Sequence, residues 1–286
     1  MRHLIVIWLL ACVIGIPAAG AAQLRVVTAE NFYGDLARQI GGGALAVASI
    51  LSNPDQDPHE FEANPSTARA LAEAQLVIYN GADYDPWAVK LLSASPSASR
   101  VVIVVANLMH RRSGDNPHLW YDPATMPALA ADLAGALAKL DPAHQAGYAR
   151  RLASFRRSLA PLDAKIAELR QKYAGTSVTA TEPVFGYMAE ALGLVMRNPG
   201  FQLAVMNDTE PSAADIAKFE KDLQTRAVKV LIYNSQTSDA LTRRMRMIAS
   251  GAGVPVIGVS ETEPRGKDYQ EWMLSQLDAL DRALAH

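Results

Sequence analysis

Two histidines in this chain share a setting that could serve a ligand. Asp57-Pro58-His59 lies in the polar stretch from Ser52 to Glu62, directly after an apolar run that reads as the second strand. Asn116-Pro117-His118 lies in an equally polar loop after the fourth, just ahead of a helix opened by Asp122-Pro123. Each histidine follows a proline whose fixed φ stiffens the loop. An isolated imidazole in a loop is usually a solvated or turn residue. Two Pro-His loops at equivalent points of one sheet bring the ligand reading level with that ordinary one. By contrast His110, within Asn107 to Asp115, and His144, at the start of a helix, read as exposed polar side chains.

The elements that must carry these loops show in the apolar pattern. Leu24 to Thr28, Ala46 to Leu51, Leu76 to Tyr79 and Val101 to Val105 are short strand-like runs, with helices at Glu30 to Ile40 and Pro65 to Ala74 between them. Short apolar strands alternating with helices indicate a parallel sheet covered on both faces. The pattern returns after residue 175, with strands at Val178 to Ala180, Val230 to Tyr233 and Val256 to Val259. Helices are expected there near Val184 to Leu192, Ala213 to Leu223, Asp239 to Ala249 and Tyr269 to Ala283. Between the halves, from Pro142 to Tyr173, Leu152, Phe155, Leu159, Leu162, Ile166, Leu169 and Tyr173 recur at three- and four-residue steps. This predicts one amphipathic helix about 48 Å long, bent at Pro161. The fold class is therefore α/β: an N-terminal lobe over 22–141, a linker helix over 142–173 and a C-terminal lobe over 174–286. The facing strand ends of the two lobes would form a cleft, where open α/β sheets place their ligands.

Composition narrows the classes further. The 286 residues are 50% hydrophobic and 20% charged, which excludes disorder and a membrane bundle. With 27 basic against 29 acidic residues and no basic run, nucleic acid is excluded as a partner. Met1-Arg2-His3, the apolar run Leu4 to Ile16 and Ala19-Gly20-Ala21 read as a secretory signal peptide over 1–21. The run is too short for the roughly 20 residues of a transmembrane span. Leu9-Leu10-Ala11-Cys12 has the outline of a lipobox, but the apolar run continues past Cys12, which argues against lipid anchoring there. Cleavage after Ala21 would remove the single Cys, and with it any disulfide or thiolate metal site. A soluble periplasmic protein follows from that reading.

Beyond the histidines, Asn31-Phe-Tyr-Gly-Asp35, Ala74-Gln-Leu-Val-Ile-Tyr-Asn-Gly81, Asn116-Pro-His-Leu-Trp120, Phe185-Gly-Tyr187 and Glu210-Pro-Ser212 fall in an order that resembles the metal-binding receptors of bacterial zinc and manganese ABC importers. The resemblance covers essentially the whole mature chain. It implies two Rossmann-like lobes joined by one long helix, with a metal site in the interlobe cleft. It further implies that His59 and His118 are ligands from the first lobe. In Val178-Thr-Ala-Thr-Glu-Pro-Val-Phe-Gly-Tyr187, Glu182 stands where zinc-type members carry His, as in manganese- and iron-type members. Its other role would be to stabilise the N-terminus of the helix after Pro183. The second Thr-Glu-Pro, at 209–211, precedes a capping-box-like Ser212 and Asp215, so Glu210 reads as a helix-entry residue only. For the fourth ligand, Ser260-Glu261-Thr262-Glu263 offers two candidates. Matching Gly258 to the family's glycine favours Glu261, and a gap-free count from Pro255 favours Glu263. Glu261 is taken, which leaves Glu263 as an exposed loop carboxylate.

Two imidazoles and two carboxylates would make a net-neutral site for one divalent cation. The oxygen share leans towards manganese or iron, although zinc would bind such a donor set well. The expected role is capture of that ion outside the cytoplasmic membrane, by a monomer, and delivery to an ABC permease. A metal-dependent hydrolase is the rival reading. It needs an open coordination position and a nearby base, and no His-Glu-x-x-His occurs. A surface metal-sensing or adhesive role is a third reading, with no direct support in the sequence.

Overall fold

The computed structural model describes residues 23–54, Pro58, 61–237 and 239–286. The signal-peptide reading, Cys12 and His59 therefore lie outside the described residues.

Two four-stranded parallel sheets make the frame. In the first, β1 (Leu24–Glu30), β2 (Leu45–Leu51), β3 (Leu76–Tyr79) and β4 (Val101–Val104) run in the order β2-β1-β3-β4. In the second, β5 (Ser177–Ala180), β6 (Val195–Arg197), β7 (Leu231–Asn234) and β8 (Val256–Val259) run β6-β5-β7-β8, the same winding repeated. Every pairing is parallel. In each sheet the first strand lies between the second and the third, so the order reverses beside it and a crevice opens at the strand ends. Helix starts are set by local chemistry. Asn64 accepts from the Ser66 and Thr67 amides ahead of Pro65, Asp239 from those of Leu241 and Thr242, and Asp268 forms a capping box with Glu271.

The linker departs from one uninterrupted helix. Its described form is a helix at Gln145–Ser158 and another at Ala160–Tyr173, broken at Leu159. Pro161 lacks the N–H that would bond back to Arg157, which accounts for the break where a bend was expected. Leu159 keeps helical angles (φ −78°, ψ −14°), so the rod continues across it. Its first half is tied to the first lobe by Arg151, whose Nε donates to the Ile40 carbonyl at 2.6 Å. Its second half is tied to the last helix, Tyr269–Leu284, by Lys165 and Tyr173, both bonded to Asp281.

That last helix also stitches the lobes together at their base. The Tyr269 hydroxyl donates to the Trp120 carbonyl at 2.8 Å, and the Tyr121 hydroxyl donates to Ser260 O and Gln276 Oε1. Phe32, Trp120, Tyr121, Phe185 and Trp272 are buried in one aromatic seam with ring centroids 4.6–6.1 Å apart. The core thus runs unbroken from one lobe into the other. Trp272→Ala should lower unfolding free energy by about 3–5 kcal/mol, because it hollows this seam. Urea denaturation followed by circular dichroism reads the loss; a variant as stable as the parent would show that the seam does not bind the lobes.

Candidate metal centre

The candidate residues sit at the carboxyl ends of the parallel strands. Glu182 follows β5, Asn234 ends β7, Glu261 follows β8 and His118 lies in the loop after β4. His118 is fully buried, with Nδ1 2.6 Å from Asn116 Oδ1. Asn116 Nδ2 donates to the Pro183 carbonyl at 2.8 Å, which fixes the amide so that Oδ1 faces the imidazole. The Nδ1 proton is therefore bound to Asn116, and Nε2 carries the lone pair a metal needs. Nε2 makes no hydrogen bond and lies 3.4 Å from Glu261 Oε2 of the other lobe. The second lobe grips the same loop again, as Tyr187 donates to the Asn116 carbonyl at 2.7 Å. Gly186 permits this approach, since a Cβ there would stand 2.9 Å from Asn116 Nδ2.

Glu182 does not cap the turn that follows it. That turn, Pro183–Phe185, has no side-chain cap bond at Glu182. The buried carboxylate accepts instead from Thr237 Oγ1 at 2.7 Å (Oε1) and from Asn234 Nδ2 at 3.3 Å (Oε2). The same Asn234 amide donates to Glu261 Oε1 at 2.5 Å. Its oxygen accepts from the Gln236 amide, and Gln236 Oε1 in turn accepts from Glu261 N and Thr262 N. Burial, followed by the charge of Glu261, pushes the hydroxyl of Tyr84 in the first lobe well above the usual tyrosine range.

His118, Glu182 and Glu261 are thus brought into one buried cluster spanning both lobes. Among the described residues, no three His, Cys, Asp or Glu side chains close round a single point tightly enough to hold an ion unaided. His59, the remaining candidate, lies outside the described residues. His110 and His144 are exposed, the latter paired with Asp141. Glu210 is exposed, and Ser212 caps the next helix through the Asp215 amide.

Glu263 requires a correction, since it is not an exposed loop carboxylate. It is 7% exposed, with its backbone paired to the Asn31 side chain of the first lobe. Burial, followed by the charge of Asp35, pushes its carboxyl up to about 9.

The residues that sequence reasoning missed are asparagines. Ile78-Tyr79-Asn80 and Ile232-Tyr233-Asn234 repeat at the ends of β3 and β7, the matching strands of the two sheets. Asn80 Nδ2 supports the loop of His118 through the Pro117 carbonyl at 2.8 Å, and Asn234 supports the two glutamates. The repeated tripeptide was the available signal. Behind the Asn80 network lies a second buried pair, Glu30 and Asp85. Asp85 accepts from the Asn80 and Gly81 amides, and its carboxyl is raised to about 6, chiefly by burial. Glu30 is raised well above the ordinary range by burial and then by Asp85's charge.

Comparison with known proteins bears on the whole chain. The family model described as zinc-uptake complex component A, periplasmic, matches residues 26–283. The manganese ABC transporter substrate-binding lipoprotein PsaA of Streptococcus mitis is 25% identical, over 98% of this chain and 96% of that protein. The high-affinity zinc uptake system protein ZnuA of Paracoccus denitrificans is 26% identical, over 75% and 77%. Among solved structures, the periplasmic zinc binding protein TroA from Treponema pallidum superposes with a TM-score of 0.79 at 22% identity, covering 93% of this chain and 100% of that one. That likeness establishes the fold: two parallel-sheet lobes on one linker.

The Glu30–Asp85 pair gives a pH signature. A carboxyl raised in the folded state binds its proton more tightly there than in the unfolded chain, so stability falls as pH rises above the ordinary carboxylate range. Glu30→Gln removes that cost. Its melting temperature at pH 8 should exceed the parent's by about 5 °C, with the gap closing near pH 4. Scanning calorimetry across that range decides it; a variant less stable than the parent at pH 8 would refute the buried neutral Glu30.

Proposed function

Because this chain belongs to the periplasmic zinc-uptake complex component A family, we propose that it captures one divalent transition metal ion outside the cytoplasmic membrane and hands it to an ABC permease. The observation that carries the reading is the cross-lobe contact of His118 Nε2 with Glu261 Oε2 at 3.4 Å, both groups fully buried. A neutral imidazole with its lone pair held outward, opposite a carboxylate of the other lobe, is half of a metal site. Glu182 adds a second carboxylate, and His59 would add the second imidazole. Two neutral nitrogens and two negative oxygens leave a bound dication with no net charge, which offsets the cost of burying it.

Donors drawn from both lobes couple the ion to the interlobe seam. An ion bridging His118 and Glu261 favours the closed arrangement, and parting of the lobes at that contact releases it. The cargo is manganese, zinc or iron, since N,O donors accept all three and in vivo selection depends on availability. The protein acts as a monomer, exported by its N-terminal signal peptide and free of nucleic acid.

Isothermal titration of the mature protein with zinc and manganese should give one ion per chain. Alanine at His59, His118, Glu182 or Glu261 should abolish that stoichiometric binding. Glu263→Ala should keep it, because burial and the charge of Asp35 hold the Glu263 carboxyl up to about 9, a poor state for a cation ligand. Loss of binding with Glu263→Ala alongside retention with Glu261→Ala would reverse the assignment.

A further inference from the structure

Asn234 is the residue whose placement the donor list leaves unexplained. It is 2% exposed, it stands at the end of β7, and its single Nδ2 reaches carboxylates from two other strand ends. The amide cannot swing freely. Its oxygen is fixed by the Gln236 N–H at 3.0 Å, and its own backbone N–H points to Thr181 Oγ1. Which oxygen it takes from Glu261 has a chemical consequence. Oε1 is engaged by the amide at 2.5 Å, and it is Oε2 that faces the His118 lone pair. Glu182 carries a donor on each oxygen, the closer from Thr237 to Oε1 at 2.7 Å and the longer from Asn234 to Oε2 at 3.3 Å.

We propose that Asn234 is a positioning residue that sets this site's metal preference, by holding Glu261 to ligation through one oxygen. This role rests on the metal-receptor function proposed above and goes beyond it. A carboxylate that offers both oxygens adds a donor without adding a residue. Two imidazoles and two one-oxygen carboxylates make four donors, the number a tetrahedral zinc ion takes. Two-oxygen carboxylates would raise the count towards the six that hard, oxygen-seeking cations such as manganese take. Asn234 donates to both glutamates at once, so it keeps the site at the lower count while adding no charge. Donation from a neutral amide also steadies two buried like charges before the ion arrives.

The test compares wild-type protein with Asn234→Ala and Asn234→Ser, whose hydroxyl is too short to span both carboxylates. Zinc and manganese affinities are measured by competition with a chromophoric chelator, and the cobalt(II) form is read by visible absorption. Both variants should lose zinc affinity by about 10–100-fold while manganese affinity changes much less, narrowing the zinc-to-manganese ratio by about tenfold or more. The intense cobalt bands of a four-coordinate site should weaken as coordination rises. A structural role alone would lower both affinities together and leave the cobalt spectrum unchanged, which would overturn the proposal. Tighter zinc binding in the variants would also overturn it, by showing that the amide competes with the ion. Should wild-type protein bind neither metal, the receptor reading fails first; wild-type binding with an unchanged ratio in the variants defeats the Asn234 assignment alone.

Discussion

Everything in the candidate site follows from the cost of burying Glu182 and Glu261 together. Two like charges in a dry seam between lobes would repel each other and lose their hydration, a burden no fold retains without compensation. The described structure compensates with neutral donors. Asn234 bridges the pair and Thr237 adds a hydroxyl. None of these donors brings a full positive charge. The cluster is therefore left electron-rich, which is the condition a captured cation satisfies.

That requirement reaches back into the scaffold. The imidazole faces Glu261 with its lone pair only because Asn116 holds the proton of the other nitrogen. Asn116 in turn is oriented by the Pro183 carbonyl, one residue beyond Glu182. The tautomer in one lobe is thus set by the backbone of the other. The aromatic seam around Trp120, Tyr121 and Trp272, with the split linker rod behind it, keeps the lobes in the register this needs.

Much of the frame was legible in the residues. The β-branched runs at Val101–Val104 and Val256–Val259 and the three- and four-residue recurrence along the linker specify parallel strands and an amphipathic rod through periodicity alone. The strand β6 was not. Val195–Arg197 is three residues long, lies at a sheet edge with Val195 half exposed, and is anchored through Arg197 to Asp222, a pairing without a local pattern. The short helix Pro199–Met206, beginning at a left-handed Asn198, was hidden for similar reasons. In the site, His118 showed through its Pro-His loop, whereas Glu182 and Glu261 were legible only through the resemblance to the metal receptors. Glu263 misled because its exposure depends on Asn31 and Asp35, more than 200 positions away in the chain. Asn234 was passed over because a neutral amide carries no chemistry until the carboxylates it joins are known.

The central claim is that one transition metal ion is held between the lobes by this buried cluster. Anomalous diffraction from crystals of the metal-loaded mature protein, recorded on either side of the metal's absorption edge, tests it directly. The account predicts a single peak within about 2.0–2.2 Å of His118 Nε2 and of an oxygen from each of Glu182 and Glu261. A metal peak at Asp141 and His144, or anywhere outside the interlobe seam, with the His118–Glu261 contact intact, would contradict it.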